Sequence, residues 1–235
     1  MLSLAFWIVA SFFSCACAQE KNAAIASAHP LATAAGHAVL ARGGNAFDAA
    51  VAVAAALAVV EPYSSGLGGG GFWLLHRAAD GREVVVDSRE TAPRAAVPEL
   101  FLDRDGNPLP GASTTGGKSV AIPGIPAALA HIARRYGRLA LQESLAPAIR
   151  HAREGFPVDA RYARIAALRE HRLRADPQAA RVFLDGERAP QPGWLLRQPE
   201  LAATLERLAA EGERGFYGGR VARALVEAVN RAGGV

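Results

Sequence analysis

Arg89 is the residue of this sequence whose type and position best suit binding chemistry. It follows two short apolar runs, 72–75 and 84–86, whose composition is typical of strands, and residues 79–81 between them carry a turn signal. Arg89 is therefore predicted to emerge where the second strand ends. A guanidinium at that place can hold a carboxylate through a planar, two-pronged pair. On the residues alone an ordinary surface ion pair is the more frequent explanation, so both interpretations stay open.

Other kinds of chemistry find little support in the sequence. The six histidines are scattered without the spacing of metal ligands, so no metal site is predicted. Residues 66–71 include five glycines, but they follow a predicted helix and precede a strand, the reverse of a phosphate-binding loop. Residues 117–119 read Gly-Lys-Ser but lack the earlier glycine of such a loop. No Gly-x-Ser-x-Gly motif occurs, and no activated nucleophile is recognisable.

The elements that must position Arg89 lie directly before it. Asn45 predicts a helix N-cap, and Asp48 suits the positive end of that helix. No residue from 49 to 60 is polar, so the helix is expected to be buried on nearly all sides, although it is too short to span a bilayer. Glu61-Pro62 ends the helix. The glycines of 66–71 then permit a sharp turn close to neighbouring chain, and the hairpin enters the core.

The rest of the chain is predicted to be mostly helical. Residues 87–121 are predicted to form an irregular surface connection, and 172–197 a polar, proline-containing insertion. Strand signal is confined to 70–88 and a short run near Val120, so the hairpin lacks partner strands and the chain is predicted to be part of a larger protein. Capping signals and apolar periodicity predict further helices at about 30–42, 126–136, 141–153 with a kink at Pro147, 159–169, 199–211 and 219–231.

Composition narrows the class of protein. The chain has 235 residues, which is enough for one domain with a sizeable core. Its composition, 51% hydrophobic and 20% charged, is that of a globular protein. The net charge of +4 is modest and scattered, and no basic run is interleaved with aromatic residues, so nucleic-acid binding is not expected. Nearly all positive charge is arginine, and the arginine and alanine bias favours a GC-rich bacterial genome as the source.

Residues 1–18 are predicted to be a signal peptide. An apolar run there is followed by Ala16-Cys17-Ala18, which has the small-x-small form of a signal-peptidase site. Cleavage would leave residues 19–235 as an exported protein, periplasmic or secreted. An uncleaved membrane anchor and lipid attachment at Cys15 or Cys17 remain as alternatives. Both cysteines lie in this segment, so the mature chain would have no thiol or disulfide.

Several short motifs together resemble the γ-glutamyltransferase (glutathione hydrolase) family. They occur in the family's order from about residue 26 to the end of the sequence, which makes the set specific although each motif alone is weak. The matching pieces are His29-Pro30-Leu31-Ala32-Thr33, Gly43 to Ala50, Val60 to Phe72, Asp87-Ser88-Arg89-Glu90-Thr91-Ala92-Pro93, Ile122-Pro123-Gly124, Pro147-Ala148-Ile149, Gly155-Phe156-Pro157-Val158 and Phe216-Tyr217-Gly218-Gly219.

The resemblance implies an α+β fold, a mostly helical part of the N-terminal nucleophile hydrolase α-β-β-α sandwich. Residues 19–235 would form the N-terminal portion of the large subunit. In that family a precursor cuts itself into two subunits, and the N-terminal threonine of the small subunit attacks the substrate. The resemblance implies that the substrate is glutathione or another γ-glutamyl compound and that no cofactor is needed. It also implies that the small subunit is the protein partner of this chain. Since that threonine is missing here, the chain is expected to hold no catalytic residue and to be inactive alone.

Arg89 occupies the arginine of the family's Arg-Glu-x-Ala-Pro motif, and the resemblance implies that it binds the α-carboxylate of the glutamyl group. Two alternatives stay open. One is a related N-terminal nucleophile hydrolase, either a γ-linked capsule depolymerase or a cephalosporin acylase. The other is a non-catalytic exported binding module, against which the unpaired hairpin argues.

Overall fold

The computed structural model describes residues 23–235, so the predicted signal peptide at 1–18 lies outside the described residues. Among residues 23–235, no helix combines the length and the apolar character needed to cross a membrane. The described helices are α1 (Pro30–Ala41), α2 (Ala46–Val60), α3 (Ile125–Tyr136), α4 (Leu141–Glu154), α5 (Ala160–Ala175), α6 (Pro177–Phe183), α7 (Pro199–Glu211), α8 (Arg214–Tyr217) and α9 (Gly219–Arg231). The described strands are β1 (Phe72–Arg77), β2 (Arg82–Asp87), β3 (Phe156–Pro157) and β4 (Leu195–Leu196).

Helix α2 lies at the centre of the fold, as the sequence predicts. The Asn45 side chain accepts hydrogen bonds from the N–H groups of Phe47 and Asp48, at 2.9 and 3.0 Å, and the Asp48 carboxylate accepts one from the Asn45 N–H. This reciprocal capping box fixes the start of the helix. No residue from 49 to 60 is exposed, because α1, α3 and α4 pack around α2. The helix ends at Val60, directly before Glu61-Pro62.

Asp48 also fastens the loop between α3 and α4. Its carboxylate is fully buried and accepts hydrogen bonds from the backbone N–H groups of Arg138 at 2.9 Å and Leu139 at 3.4 Å. A Cβ at Gly137 would lie 2.3 Å from Asp48 Oδ1, so this loop can approach only with glycine there. Sequence reasoning gave Asp48 a helix-end role alone. In the structure it joins two separate parts of the helical layer.

Helix α4 packs between α2 and α7 and completes the helical core. Leu145 of α4 and Leu205 and Leu208 of α7 are fully buried, and Pro147 is buried as well. The helix continues through Pro147 to Glu154, so the proline does not end it. Burial of apolar side chains on several helices at once is the main source of stability for such a layer.

The helix predicted at 159–169 is longer than expected, and the first part of the polar, proline-containing insertion predicted at 172–197 is helical. Helix α5 continues to Ala175, and α6 follows at once. The Asp176 carboxylate accepts hydrogen bonds from the N–H groups of Gln178 and Ala179, and Pro177 occupies the first turn. An aspartate before proline is a helix-start signal, but a helix of seven residues is too short for its apolar periodicity to be visible in the sequence.

A second pair of strands was not predicted. Phe156 lies opposite Leu196 and Pro157 opposite Leu195 in an antiparallel pair. Two residues are too short a run for a period-2 pattern to be visible in sequence. The pair joins the end of α4 to the start of α7, and Phe156 and Leu196 are both buried there.

The predicted hairpin is present, and β1 pairs with β2 from Phe72 opposite Asp87 to Arg77 opposite Arg82. Within residues 23–235, no other strand joins this sheet. The inner face points to the helical core and consists of Trp73, Leu75, Val84 and Val86. The outer face carries the apolar side chains of Phe72, Leu74 and Val85, which are 62%, 75% and 64% exposed, together with the exposed polar residues His76, Glu83 and Asp87.

Candidate functional site

Arg89 lies two residues beyond the end of β2, where the sequence predicts it. Its side chain is 65% exposed, and its guanidinium carbon lies 5.1 Å from the centre of the Phe72 ring. The guanidinium therefore sits beside the outer face of the hairpin. Its Nε is 3.7 Å from Asp87 Oδ1, a long and exposed ion pair that contributes little. Most of the guanidinium donors thus remain available to a ligand.

The glycine turn (residues 66–71) supports the Arg89 backbone from one side. Gly71 and Ser88 exchange two backbone hydrogen bonds, at 2.9 and 3.3 Å. A Cβ at Gly70 would lie 2.6 Å from both the Arg89 Cα and the Ser88 carbonyl oxygen, which are backbone atoms that cannot easily move. Glycine at this position is therefore required by close approach, as the sequence predicts.

A second segment, residues 122–124, supports the same backbone from the other side. Thr91 and Ile122 exchange two backbone hydrogen bonds, at 3.1 and 2.8 Å. A Cβ at Gly124 would lie 2.0 Å from the Ser88 carbonyl oxygen. The Gly124 N–H also donates to the Gly69 carbonyl at 3.0 Å, so the two supports are tied to each other. Residues 87–91, held between them, are called the Arg89 shelf below.

Ser88 connects the shelf to the inner face of the hairpin. Its side chain is buried, and its Oγ accepts a hydrogen bond from the Trp73 indole N–H at 3.1 Å while donating to the Gly71 carbonyl at 2.8 Å. The residue before Arg89 is thus fixed by core packing. The exposed guanidinium projects from a backbone that has little freedom, which suits a ligand-binding group.

Glu61 anchors the chain where it passes from α2 towards the glycine turn. It is only 2% exposed, and its Oε1 accepts hydrogen bonds from Arg161 and from the Tyr63 hydroxyl, both at 3.3 Å. Burial, together with the Glu61 carboxylate, raises the pKa of Tyr63 to about 12, so the phenol stays protonated and keeps donating. Sequence reasoning treated Glu61 only as part of the helix stop.

The shelf can recognise a planar anion through Arg89. A guanidinium can give two parallel charge-assisted hydrogen bonds to a carboxylate. Within residues 23–235, no three His, Cys, Asp or Glu side chains are grouped so that they could hold a metal ion. Because most of its donors are unengaged, the exposed Arg89 guanidinium is able to bind a carboxylate.

Residues 32–235 match the sequence model of the family described as gamma-glutamyltranspeptidase. This chain belongs to the γ-glutamyltranspeptidase family. It is 39% identical over 220 residues to a glutathione hydrolase proenzyme of Pseudomonas sp. (strain A14), covering 92% of this chain and 37% of that protein. It is also 39% identical over 225 residues to an acylase ACY 1 proenzyme of Pseudomonas sp. (strain SE83), covering 93% of this chain and 40% of the relative.

The family fold is equally clear in the structure. The crystal structure of Helicobacter pylori gamma-glutamyltranspeptidase aligns with a TM-score of 0.86 at 37% identity, covering 89% of this chain and 60% of that one. The predicted family and the predicted α+β fold, a mostly helical part of the N-terminal nucleophile hydrolase sandwich, are thus confirmed. The chain spans well under half the length of the glutathione hydrolase and acylase relatives. The role of Arg89 in this γ-glutamyltranspeptidase family member stays a prediction.

Proposed function

We propose that this chain forms the glutamyl-binding part of an exported γ-glutamyltransferase that hydrolyses glutathione or related γ-glutamyl compounds. Arg89 holds the α-carboxylate of the glutamyl group. The observation that carries the proposal is an exposed guanidinium on a backbone shelf fixed from two sides, at the end of a core strand. The glutathione hydrolase proenzyme among the relatives supports the choice of substrate class.

The chemistry of the substrate fits this anchor. An α-carboxylate is planar and anionic, so a guanidinium can hold both its oxygens, whereas a lysine ammonium offers only a point charge. The Arg89 guanidinium also lies against the Phe72 ring, on the outer face of the hairpin. When a complementary part of the protein covers that face, water is excluded and the ion pair becomes stronger.

The reacting atoms belong to a complementary part of the enzyme, in which a small-subunit threonine is the nucleophile. Its hydroxyl attacks the γ-carbonyl carbon, the amide C–N bond breaks, and the leaving amine takes up a proton. Water or the amine of an amino acid then attacks the resulting ester and frees the threonine. In this scheme residues 19–235 are the N-terminal portion of the large subunit, released from the same precursor. Arg89 touches the substrate away from the bond that breaks, so it acts by binding and positioning.

An acylase is the second candidate, because one relative is an acylase proenzyme at the same 39% identity. The two candidates differ in what Arg89 contacts. A γ-glutamyl donor brings a free α-carboxylate to the shelf, while an acyl donor without such a group leaves the guanidinium without its partner.

The test uses the full-length precursor, which contains both the large and the small subunit, with a chromogenic γ-glutamyl anilide as substrate. The wild type is compared with Arg89→Lys and Arg89→Ala. We expect turnover by the wild type, a higher KM for Arg89→Lys, and a still higher KM for Arg89→Ala, with kcat falling as far as positioning depends on the anchor. A gel that resolves the two subunits should show normal self-cleavage in all three, since the precursor has no free substrate carboxylate. Residues 19–235 expressed alone should give only background hydrolysis. A processed Arg89→Ala protein with wild-type KM would reduce Arg89 to a structural residue.

A further inference from the structure

A cavity of about 390 Å³ lies between α5 and the chain that follows α2. It shares no lining residue with the Arg89 shelf, and the proposed function does not use it. Its volume is within the range of small-molecule sites. The residues that matter for its chemistry are Tyr63, Tyr162, Ile165, Phe183, Arg169 and Arg172, and it is called the α5 pocket below.

The aromatic walls of the α5 pocket are held in place by hydrogen bonds. The Tyr162 hydroxyl donates to the Phe183 carbonyl at 3.0 Å, which ties α5 to the end of α6. The Tyr63 hydroxyl donates to Glu61, and the Tyr63 and Tyr162 rings meet edge to face with centres 6.0 Å apart. Both hydroxyls are thus engaged outside the cavity. Tyr162 is only 4% exposed, and the Arg161 guanidinium carbon lies 5.6 Å from the centre of the Tyr63 ring. The ring surface that the pocket offers therefore comes mainly from the half-buried Tyr63 and Phe183, which suits an aromatic ligand.

The charged wall comes from one side of α5. This helix carries five arginines and one glutamate, and two of the arginines are paired: Arg161 with Glu61, and Arg174 with Glu170. Arg169 and Arg172 line the cavity, are exposed, and form no ion pair with any residue of 23–235. The Glu61 carboxylate beneath the pocket is already shared by Arg161 and Tyr63. The positive charges of Arg169 and Arg172, beside the apolar wall of the pocket, therefore have no anionic partner within residues 23–235.

We propose that the α5 pocket binds a small aromatic carboxylate. The ring lies against Tyr63 and Phe183, and the carboxylate pairs with Arg169 or Arg172. Aromatic contact and a charge-assisted hydrogen bond act at opposite ends of the ligand, so both parts are needed for tight binding. The claim concerns binding alone and stands whether or not the protein transfers γ-glutamyl groups.

The experiment titrates the full-length protein with 3-phenylpropanoate, with the neutral 3-phenylpropan-1-ol and with propanoate, and follows the 13C-labelled methyl groups of Ile165. We expect 3-phenylpropanoate to shift the Ile165 signal and to bind at least about tenfold more tightly than either probe that lacks the charge or the ring. Arg169→Gln and Arg172→Gln together should weaken its binding by about tenfold or more.

Two control variants make the result specific. Arg164 is an exposed arginine of the same helix that also has no ion pair within 23–235, but it does not line the cavity. Arg164→Gln should therefore change the Kd for 3-phenylpropanoate by less than about twofold. Arg89→Ala should bind 3-phenylpropanoate as the wild type does. The proposal is wrong if the alcohol binds as tightly as the carboxylate, if Arg164→Gln is as harmful as the paired change, or if Arg89→Ala abolishes binding.

Discussion

The two faces of the β1–β2 hairpin differ sharply in what surrounds them. The inner face packs on the helical core and is complete within the described chain, and its Trp73 is further held by Ser88. The outer face mixes apolar and charged residues and is mostly exposed, and the Arg89 guanidinium lies against its Phe72 ring. Exposed apolar patches of this kind mark contact surfaces. Stability therefore comes from the inner face, while the proposed chemistry belongs to the exposed outer face.

The largest effect on stability is expected on the inner face of the hairpin. Two adjacent leucines of β1 compare the two faces directly, because their side chains lie on opposite sides. Leu75 is buried on the inner face, so Leu75→Ala should lower the free energy of unfolding by about 2–5 kcal/mol. Leu74 is exposed on the outer face, so Leu74→Ala in residues 19–235 alone should change the free energy of unfolding by less than about 0.5 kcal/mol. Urea unfolding of the two variants and the wild type measures both values. Equal losses would mean that the outer face is already packed within the chain.

The next effect concerns the glycine turn beneath the shelf. Gly70→Ala places a Cβ against the Arg89 and Ser88 backbone, so it should lower the free energy of unfolding by about 1–3 kcal/mol and also weaken binding at the shelf. Gly68→Ala is the matched control, because a Cβ there meets no atom within 4 Å. Thermal unfolding and KM for the γ-glutamyl anilide should separate the two variants. If Gly68→Ala is as destabilising as Gly70→Ala, close approach is not the reason for these glycines.

A smaller effect is expected from Phe72, the outer-face residue that touches Arg89. A cation–π contact at an exposed site contributes about 0.5–1 kcal/mol, so Phe72→Leu should raise KM about two- to fivefold. Phe72→Tyr keeps the ring and should leave KM close to the wild-type value. Steady-state kinetics of both variants measure these KM values. Equal KM values for Phe72→Leu and Phe72→Tyr would mean that the aromatic ring at position 72 does not contribute to substrate binding.

Much of this arrangement could be predicted from sequence because its signals are local. The Asn45 cap, the apolar run of α2, the stop at Glu61-Pro62 and the hairpin each depend on a few neighbouring residues, and together they placed Arg89 at the end of β2. The site also depends on contacts that neighbouring residues do not encode. The pairing of Thr91 with Ile122 joins segments 31 residues apart, which strand propensity cannot reveal.

The roles of Asp48 and Glu61 could not be predicted for the same physical reason. Asp48 reaches the N–H groups of Arg138 and Leu139, and Glu61 reaches Arg161, across about 90 to 100 residues of chain. A buried carboxylate looks the same in sequence as one at the surface, and only the folded structure shows which donors satisfy it. Helix α6 was not predicted for a different reason. Its start at Asp176-Pro177 is visible in the sequence, but its seven residues are too few to show the apolar periodicity of a helix.

The central claim is that the Arg89 guanidinium pairs with the α-carboxylate of a glutamyl substrate. The most direct measurement is kcat/KM of the wild type and of Arg89→Ala with two donors, the γ-glutamyl anilide and its α-carboxamide analogue. We predict that Arg89→Ala lowers kcat/KM for the carboxylate donor by about 30-fold or more, since a charge pair is lost, and changes it little for the carboxamide. An equal loss with both donors would contradict the claim, because Arg89 would then act on something other than the carboxylate.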